Sequence, residues 1–230
     1  MNLFLFDHEE KVSYLFSGNN DFLVNLVLAC ITLLAVLVAL FQEKIKNYFS
    51  RAKVKFEINL IPPDCHQITL SDLNSGKHIS NCIYIRICVI HLKGATAKNV
   101  EVIISNFWEI DNYGTRKISK KFIPMNLIWS HFRTQLIQIP NGIFRYCDLG
   151  YIAPMAAKNT YLKLDTITQP GMVSGGEFPN IFKAGKYEFE LVLTGDNVQP
   201  KTQCWSLDFD GVWVENENEM LAKHIIIKEI

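Results

Sequence analysis

Residues 22–41 read FLVNLVLACITLLAVLVALF and contain no charged side chain. A helix rises about 1.5 Å per residue, so about 20 apolar residues cross the roughly 30 Å hydrocarbon core of a bilayer. Only Asn25 and Thr32 are clearly polar here. A core helix of this length shows a polar stripe; this segment has none and is read as a transmembrane helix. A cleaved signal peptide needs a basic start, a shorter apolar stretch and a small-residue cleavage site. The start is instead acidic, with Asp7, Glu9, Glu10 and Asp21 against Lys11, and Gln42-Glu43-Lys44 continues as a helix. The segment is therefore read as an uncleaved anchor.

Flanking cations set the expected orientation. Lys11 alone precedes the span, whereas Lys44, Lys46, Arg51, Lys53 and Lys55 follow it. The positive-inside rule puts the C-terminal side in the cytoplasm and translocates the tail. These five cations are also the candidate membrane-surface contacts, each attracted to anionic headgroups by roughly 1 kcal/mol. A pure topology signal is the alternative reading of the same residues. Cys30 lies in the span, and Cys65, Cys82, Cys88, Cys147 and Cys204 follow without regular spacing. An odd, unpatterned set fits reduced thiols in a cytoplasmic domain better than a disulfide framework.

After residue 53 the pattern changes to period-two alternation. Val54, Phe56, Ile58 and Leu60 alternate with Lys55, Glu57 and Asn59, the mark of a half-buried strand. Ile83, Ile85, Ile87 and Val89 share one strand face, with Tyr84, Arg86 and Cys88 on the other. Val100, Val102 and Ile104 form another such face, as do Tyr187, Phe189, Leu191 and Leu193, and Trp205, Leu207 and Phe209. Weaker strands are expected over 134–139, 143–147, 160–167 and 224–230, and a short helix over 215–222. Turn signals at Asn74-Ser75-Gly76, Pro140-Asn141-Gly142, Pro170-Gly171, Gly175-Gly176 and Gly195-Asp196-Asn197 separate the runs. Many short punctuated strands predict an antiparallel sandwich or barrel. Alternation fails over 107–133 and 168–183, which are read as insertions. The expected organisation is a tail (1–21), a transmembrane helix (22–41), a basic juxtamembrane helix (42–53) and a cytoplasmic β-sandwich (54–230).

Two stretches resemble bacterial immunoglobulin-like domains. Residues 84–102, YIRICVIHLKGATAKNVEV, are similar to a strand–turn–strand pattern of cell-adhesion-related sandwiches, with Gly94, Ala97 and Val100 in place and His91 where that pattern carries Asn. Ala184-Gly185-Lys186-Tyr187 resembles the tyrosine corner that opens a late strand in such folds. Phe189 stands where antibody-like domains carry Cys, so the resemblance implies no inter-sheet disulfide. It implies an all-β immunoglobulin-like fold and transfers no activity. The layout of one anchor and one β domain is also similar to some bacterial membrane-anchored defence effectors and sensors.

Chemistry-bearing motifs are sparse. With 23 Lys+Arg against 23 Asp+Glu, the chain lacks the net positive field of a nucleic-acid binder. Its 49% apolar content excludes a disordered chain. No P-loop, G-x-G-x-x-G, H-E-x-x-H, G-x-S-x-G or C-x-x-C occurs. Cys65, His66, His78 and Cys82 carry zinc-type ligand atoms, but adjacent residues in an extended chain point apart, which favours a polar loop. Asp208-Phe209-Asp210-Gly211 has part of a calcium-loop pattern and is better read as a hairpin turn. Glu215, Glu217 and Glu219 suit a helix start. Ser130-His131 supplies components of a nucleophilic site without a recognisable triad. Arg116, Lys117, Lys120 and Lys121, near Tyr113 and Phe122, are read as a solvated loop or a lipid-facing one. Trp205 is placed in the core; for Trp108 and Trp129 a core role is preferred to a contact surface.

The sequence is thus read as a non-enzymatic interaction or scaffold module at the bacterial inner membrane. Its expected partners are membrane lipid and a protein, or a second copy, with no nucleic acid and no cofactor. A ligand sensor or effector, with Asn25 assisting helix pairing, is the second reading, and a membrane-bound hydrolase the third.

Overall fold

The computed structural model describes residues 6–49, 51–72, 75–154, 160–166, 171–172 and 176–230, and, within the N-terminal helix, the side chains of residues 21–44 and 46. The chain divides into two units, Met1–Phe49 and Ser50–Ile230. The first carries one continuous helix, α1 (Phe6–Phe49). Its stretch Asp21–Lys44 is long and apolar enough to cross a membrane, with a mean hydropathy of 2.9 and none of it buried. Thr32 satisfies its hydroxyl within the helix by donating to the Leu28 carbonyl at 2.8 Å. The helix differs from the expected boundaries at both ends. It starts within the acidic tail, where early carboxylates favour a helix N-terminus. It also stops at Phe49 rather than reaching residue 53, because Ala52 and Lys53 are already engaged in β pairing.

Among its described residues the second unit is all β apart from one short helical segment. Its strands are β1 (Lys53–Glu57), β2 (Cys65–Ser71), β3 (His78–Lys93), β4 (Ala97–Ile110), β5 (Arg116–Ile118), β6 (Met125–Asn126) and β7 (Ile128–Trp129). They continue as β8 (Ile137–Ile139), β9 (Phe144–Pro154), β10 (Thr160–Leu164), β11 (Ile181–Lys183), β12 (Gly185–Thr194), β13 (Lys201–Phe209) and β14 (Ile225–Glu229). One sheet has the order β1-β3-β9-β10-β11, with β2 also on β3 and β7 on β9. The other has the order β14-β13-β12-β4-β5, with β6 and β8 also on β4. All strand pairs within the sheets are antiparallel.

The two inner faces share one core, as the alternation predicts. Ile83, Ile85, Ile87 and Val89 from the first sheet meet Val102, Ile104, Leu191, Leu193 and Leu207 from the second, all at or near full burial. The 93–96 corner carries the chain from one sheet to the other, since β3 and β4 belong to different sheets. The segment 107–133 is not a separate insertion. It supplies β5, β6 and β7, pieces of two or three residues added to both sheets. Strands so short display no period, which is why alternation disappears there. In the second irregular stretch, β11 is present, while residues 168–170 and 173–175 lie outside the described residues.

Aromatic side chains join the sheets at one end. Phe107 of β4 stacks on Phe182 of β11 with ring centroids 4.1 Å apart, and also meets Tyr187 at 5.1 Å and Phe122 at 5.6 Å. The Tyr187 hydroxyl donates to the Lys183 carbonyl at 2.8 Å, closing the corner between β11 and β12. Replacing Phe107 by Ala opens a cavity at this junction and is expected to cost about 3–5 kcal/mol. Tyr187→Phe deletes only the corner hydrogen bond and is expected to cost about 1 kcal/mol. Denaturant titration of the full chain checks both values and their order.

Candidate functional site

Strand direction defines two ends of the β unit. At one, the chain arrives through Ala52, whose N–H donates to the Asn197 carbonyl at 2.9 Å and which bridges to Val198. Gly94 lies against this arriving segment at φ +103; a Cβ there would stand 2.3 Å from the Arg51 carbonyl oxygen, so the close approach requires glycine. Asn197 ties the neighbouring loops together. Its side-chain oxygen accepts from Lys98 N–H at 2.9 Å and its amide donates to the Thr96 carbonyl at 3.0 Å. The 140–143 turn belongs to the same end, since His91 N–H donates to the Ile143 carbonyl at 3.1 Å.

Residues 129–134 build a tight loop beside it. Trp129 is fully buried, and its indole N–H is shared between the carbonyls of Val100 (3.2 Å) and Gln135 (3.0 Å). The Trp129 carbonyl then accepts from the N–H groups of Phe132 and Arg133, while Trp129 N–H donates to Thr134. His131 (φ 69) and Arg133 (φ 49) are both left-handed. Such conformations are costly for non-glycine residues and persist only where surrounding structure imposes them. Between them Phe132 is held 58% exposed, with the Arg145 guanidinium 5.9 Å from its ring centroid. Phe144 is 53% exposed, and Leu92 and Ile143 are also exposed. Lys53, Lys93, Lys98 and Arg133 are exposed around them.

A buried polar network holds this loop from below. The Ser130 hydroxyl donates to the Asp148 carboxylate, and Ser130 N–H donates to the Tyr146 carbonyl at 2.9 Å. A register shift between Ile85 and Arg86 lets Asp148 stand opposite Arg86 on the outer face of the first sheet. Tyr84, nearby on that face, donates to Asp165 at 2.7 Å. Arg86 donates to the Pro63 carbonyl and lies 4.4 Å from the Tyr146 ring centroid. Asp64 accepts from Asn59 at 2.8 Å. Burial raises the Asp148 pKa, and the Asp165 charge adds to the rise; hydrogen bonds from Ser130 and Tyr84 and the charge of Arg86 oppose it. Burial, helped by the Asp64 charge, pushes the Tyr146 phenol up to about 12.

The arrangement positions side chains and does not assemble a nucleophile. Ser130 is bonded to a carboxylate rather than to an imidazole, and its neighbour His131 is exposed. Of the zinc-type residues, Cys65 and Cys82 are fully buried, with thiols raised to about 12 by burial, whereas His78 is exposed. Among the described residues no group of three His, Cys, Asp or Glu side chains converges on a possible metal position. Asp208 pairs with Lys186 at 3.2 Å and Asp210 with His224 at 2.8 Å. Asp210-Gly211 does not form the expected hairpin turn. The chain passes instead through the helical residues Glu217–Glu219 and Met220–His224 before β14 returns. Asn216 caps that helix by accepting from Glu219 N–H at 3.0 Å. Glu215 accepts from Trp213 and Asn81, and Glu219 pairs with Lys223 at 2.9 Å. In the basic cluster, Arg116 pairs with Glu188 and Lys117 with Asp111, while Lys121 lies 4.9 Å from the Phe182 ring.

The five flanking cations divide between the units. Lys44 and Lys46 lie on α1; Lys53 and Lys55 are on β1, with Lys55 paired to Glu57, and Arg51 precedes Ala52. The residues that sequence reasoning missed are Leu92, Lys93, Lys98, Phe132, Arg133, Phe144 and Arg145. They come from the end of β3, the starts of β4 and β9 and the 129–134 loop, and only the topology brings them to one end. At the opposite end a cleft of about 610 Å³ is lined by Tyr161, Phe178, Ile181, Phe182, Lys121 and Lys183. Thr160 also lines it, 3% exposed, and its hydroxyl has no hydrogen-bond partner among the described residues. Compared with known proteins, the sequence matches no family model and no curated protein.

Asp148 gives the network a pH signature. Its folded pKa lies above the ordinary 3.8, so the native state keeps a proton that the unfolded chain has lost. Stability from this group is therefore present at acid pH and lost as pH rises from 3.8 through the folded value. Relative to wild type, Asp148→Asn is expected to become progressively more stable across that window. Urea midpoints measured over the pH range check this; a constant difference would mean that Asp148 carries no raised pKa.

Proposed function

We propose that this chain is a single-pass membrane protein with a translocated N-terminus, whose β unit works in the bacterial cytoplasm as a non-enzymatic interaction module. The observation that carries the reading is the Asp21–Lys44 stretch, which holds no charged residue from Phe22 to Gln42 and none of which is buried. A face that apolar needs a non-aqueous environment. The excess of cations after the span, Lys44, Lys46, Arg51, Lys53 and Lys55 against Lys11 before it, supports the orientation. Function would follow from presentation, since anchoring raises the concentration of the module near membrane-bound partners.

An immunoglobulin-like character for the β unit belongs to this proposal. It is supported by the Tyr187–Lys183 corner and by the order β13-β12-β4-β5, which runs as the G-F-C-C′ sheet of such domains does. In the other sheet, β9 lies beside β3 and its chain successor β10 lies outside it. The immunoglobulin order A-B-E-D has the earlier strand outside, so this would be a variant of that topology.

The cleft beside Thr160 favours a second reading, a ligand sensor. Its size suits a small molecule, and a buried hydroxyl without a partner is what a bound polar group would satisfy. Affinity purification of the full chain from native membranes, with mass spectrometry of what is retained, separates the two. A stoichiometric protein partner is expected; a homo-oligomer carrying only a small molecule would replace the interaction module by the sensor. A fluorescent protein that matures only in the cytoplasm, fused after Ile230, is expected to fluoresce. A dark fusion with intact expression would reverse the orientation.

A further inference from the structure

We propose that the Ala52 end of the β unit is itself a lipid-docking surface, which seats the Phe132 loop and Phe144 in the headgroup region of an anionic bilayer. The inference rests on the membrane-anchored reading and names the partner of one surface within it. Three observations carry it.

The first is the exposure of large apolar side chains by a loop built to expose them. Phe132 sits between two left-handed residues, above a buried tryptophan and a serine bonded to a buried carboxylate. The loop, pinned by the bonds from Phe132 and Arg133 N–H to the Trp129 carbonyl, leaves this large apolar side chain exposed at a fixed position, which reads as a contact made elsewhere. Leu92, Ile143 and Phe144 expose further apolar surface at the same end.

The second is charge. Lys53, Lys93, Lys98 and Arg133 surround these residues, and Arg145 lies beside the Phe132 ring. Three carboxylates lie on the same segments. Glu57 is paired with Lys55, while Asp196 and Glu101, held by the amides of Asn99 at 2.7 Å and Asn126 at 2.8 Å, keep their charge and leave the cations in excess. At the opposite end Lys117, Lys186 and Lys223 each pair with a carboxylate, while Lys121 and Lys183 line the cleft. A basic rim around exposed aromatic and aliphatic tips complements an anionic lipid surface.

The third is chain connectivity. Only residues 45–51 lie between the end of the apolar stretch at Lys44 and Ala52, where the β unit begins its pairing. A tether this short makes lipid contact effectively intramolecular, so weak attractions at this end suffice. A protein could also bind aromatic tips. The charge pattern and the short tether favour lipid.

The test uses the full chain in nanodiscs. Cys30→Ser and Cys204→Ser remove the two thiols that are not buried. An environment-sensitive fluorophore is then placed through Asn141→Cys at the Ala52 end, through Tyr113→Cys at the opposite end, where Tyr113 is 94% exposed, or through Val36→Cys in the apolar stretch. In discs of equal parts phosphatidylcholine and phosphatidylglycerol, the label at 141 is expected to shift to the blue and be quenched by brominated lipid. The label at 113 should stay water-like. In phosphatidylcholine alone, or in 1 M salt, where the Debye length falls to about 3 Å, the shift at 141 should diminish. It should be lost in the combined Lys93→Glu, Lys98→Glu, Arg133→Glu variant and reduced in Phe132→Ser. A label at 141 that remains water-like in anionic discs overturns the docking, as does equal quenching at 113. Protection of 141 in native membranes but not in anionic discs would assign the surface to a protein instead. Quenching at 36 reports the anchor separately. Its absence would sink the membrane-anchored reading, and with it the tethered docking, whatever happens at 141.

Discussion

The stack of Phe107 on Phe182 is the contact on which the β unit depends. It joins β4 of one sheet to β11 of the other, and Tyr187, Phe122 and Phe189 pack around the same Phe107 ring. Phe182 also meets Tyr187 of β12 at 5.7 Å, so the same cluster joins the sheets a second time at that end. Aromatic pairs combine large buried area with a geometric preference, so the cluster also fixes how the sheets face each other. The Tyr187–Lys183 hydrogen bond then sets where β12 begins, and β12 is the strand between β4 and β13. The order of the second sheet follows from that placement.

Much of this architecture was legible in the sequence because it obeys one rule. Where a strand has one wet face and one dry face, alternation reveals it, as it does for Ile83–Val89, Val100–Ile104, Tyr187–Leu193 and Trp205–Phe209; the run read from Val54 to Leu60 is strand only as far as Glu57. The rule fails where its premise fails. Arg86 and Cys88 occupy the face that alternation assigns to solvent, yet both are buried. The segment linking β1 to β2 covers them, with Arg86 N–H bonded to the Asp64 carbonyl. β5, β6 and β7 are too short to show any period. The Asp210-Gly211 pair carries a hairpin signal, but its turn opens a longer excursion through a capped helix, because Asp210 is held by His224 at the far side of that excursion.

The surface around Phe132 was illegible for a different reason. Lys93, Lys98, Arg133 and Arg145 are unremarkable singly, and no local pattern links them. They become a surface because β3 ends, β4 begins, and β7 and β9 approach each other at one end of the unit. The buried Ser130–Asp148 pair holds the loop there at some electrostatic expense, since a desolvated carboxylate is costly. A structure that keeps such a group beneath an exposed aromatic loop trades stability for a fixed position.

The sheet order also leaves β14 at an edge, with its outward backbone groups available to another strand. Ile225 and Ile227 face the core, but Ile226 and Ile230 do not, and three consecutive isoleucines of high β propensity would invite a second copy to add on. Lys228 and Glu229 follow immediately, and Glu229 accepts from Gln203 on the neighbouring strand. Charged residues on the terminal strand oppose edge-to-edge growth of the sheet. Under the proposed anchoring, copies confined to the plane of a membrane would meet far more often than in free solution, and the short charged stretch Lys228-Glu229 would then count against runaway fibre-like pairing.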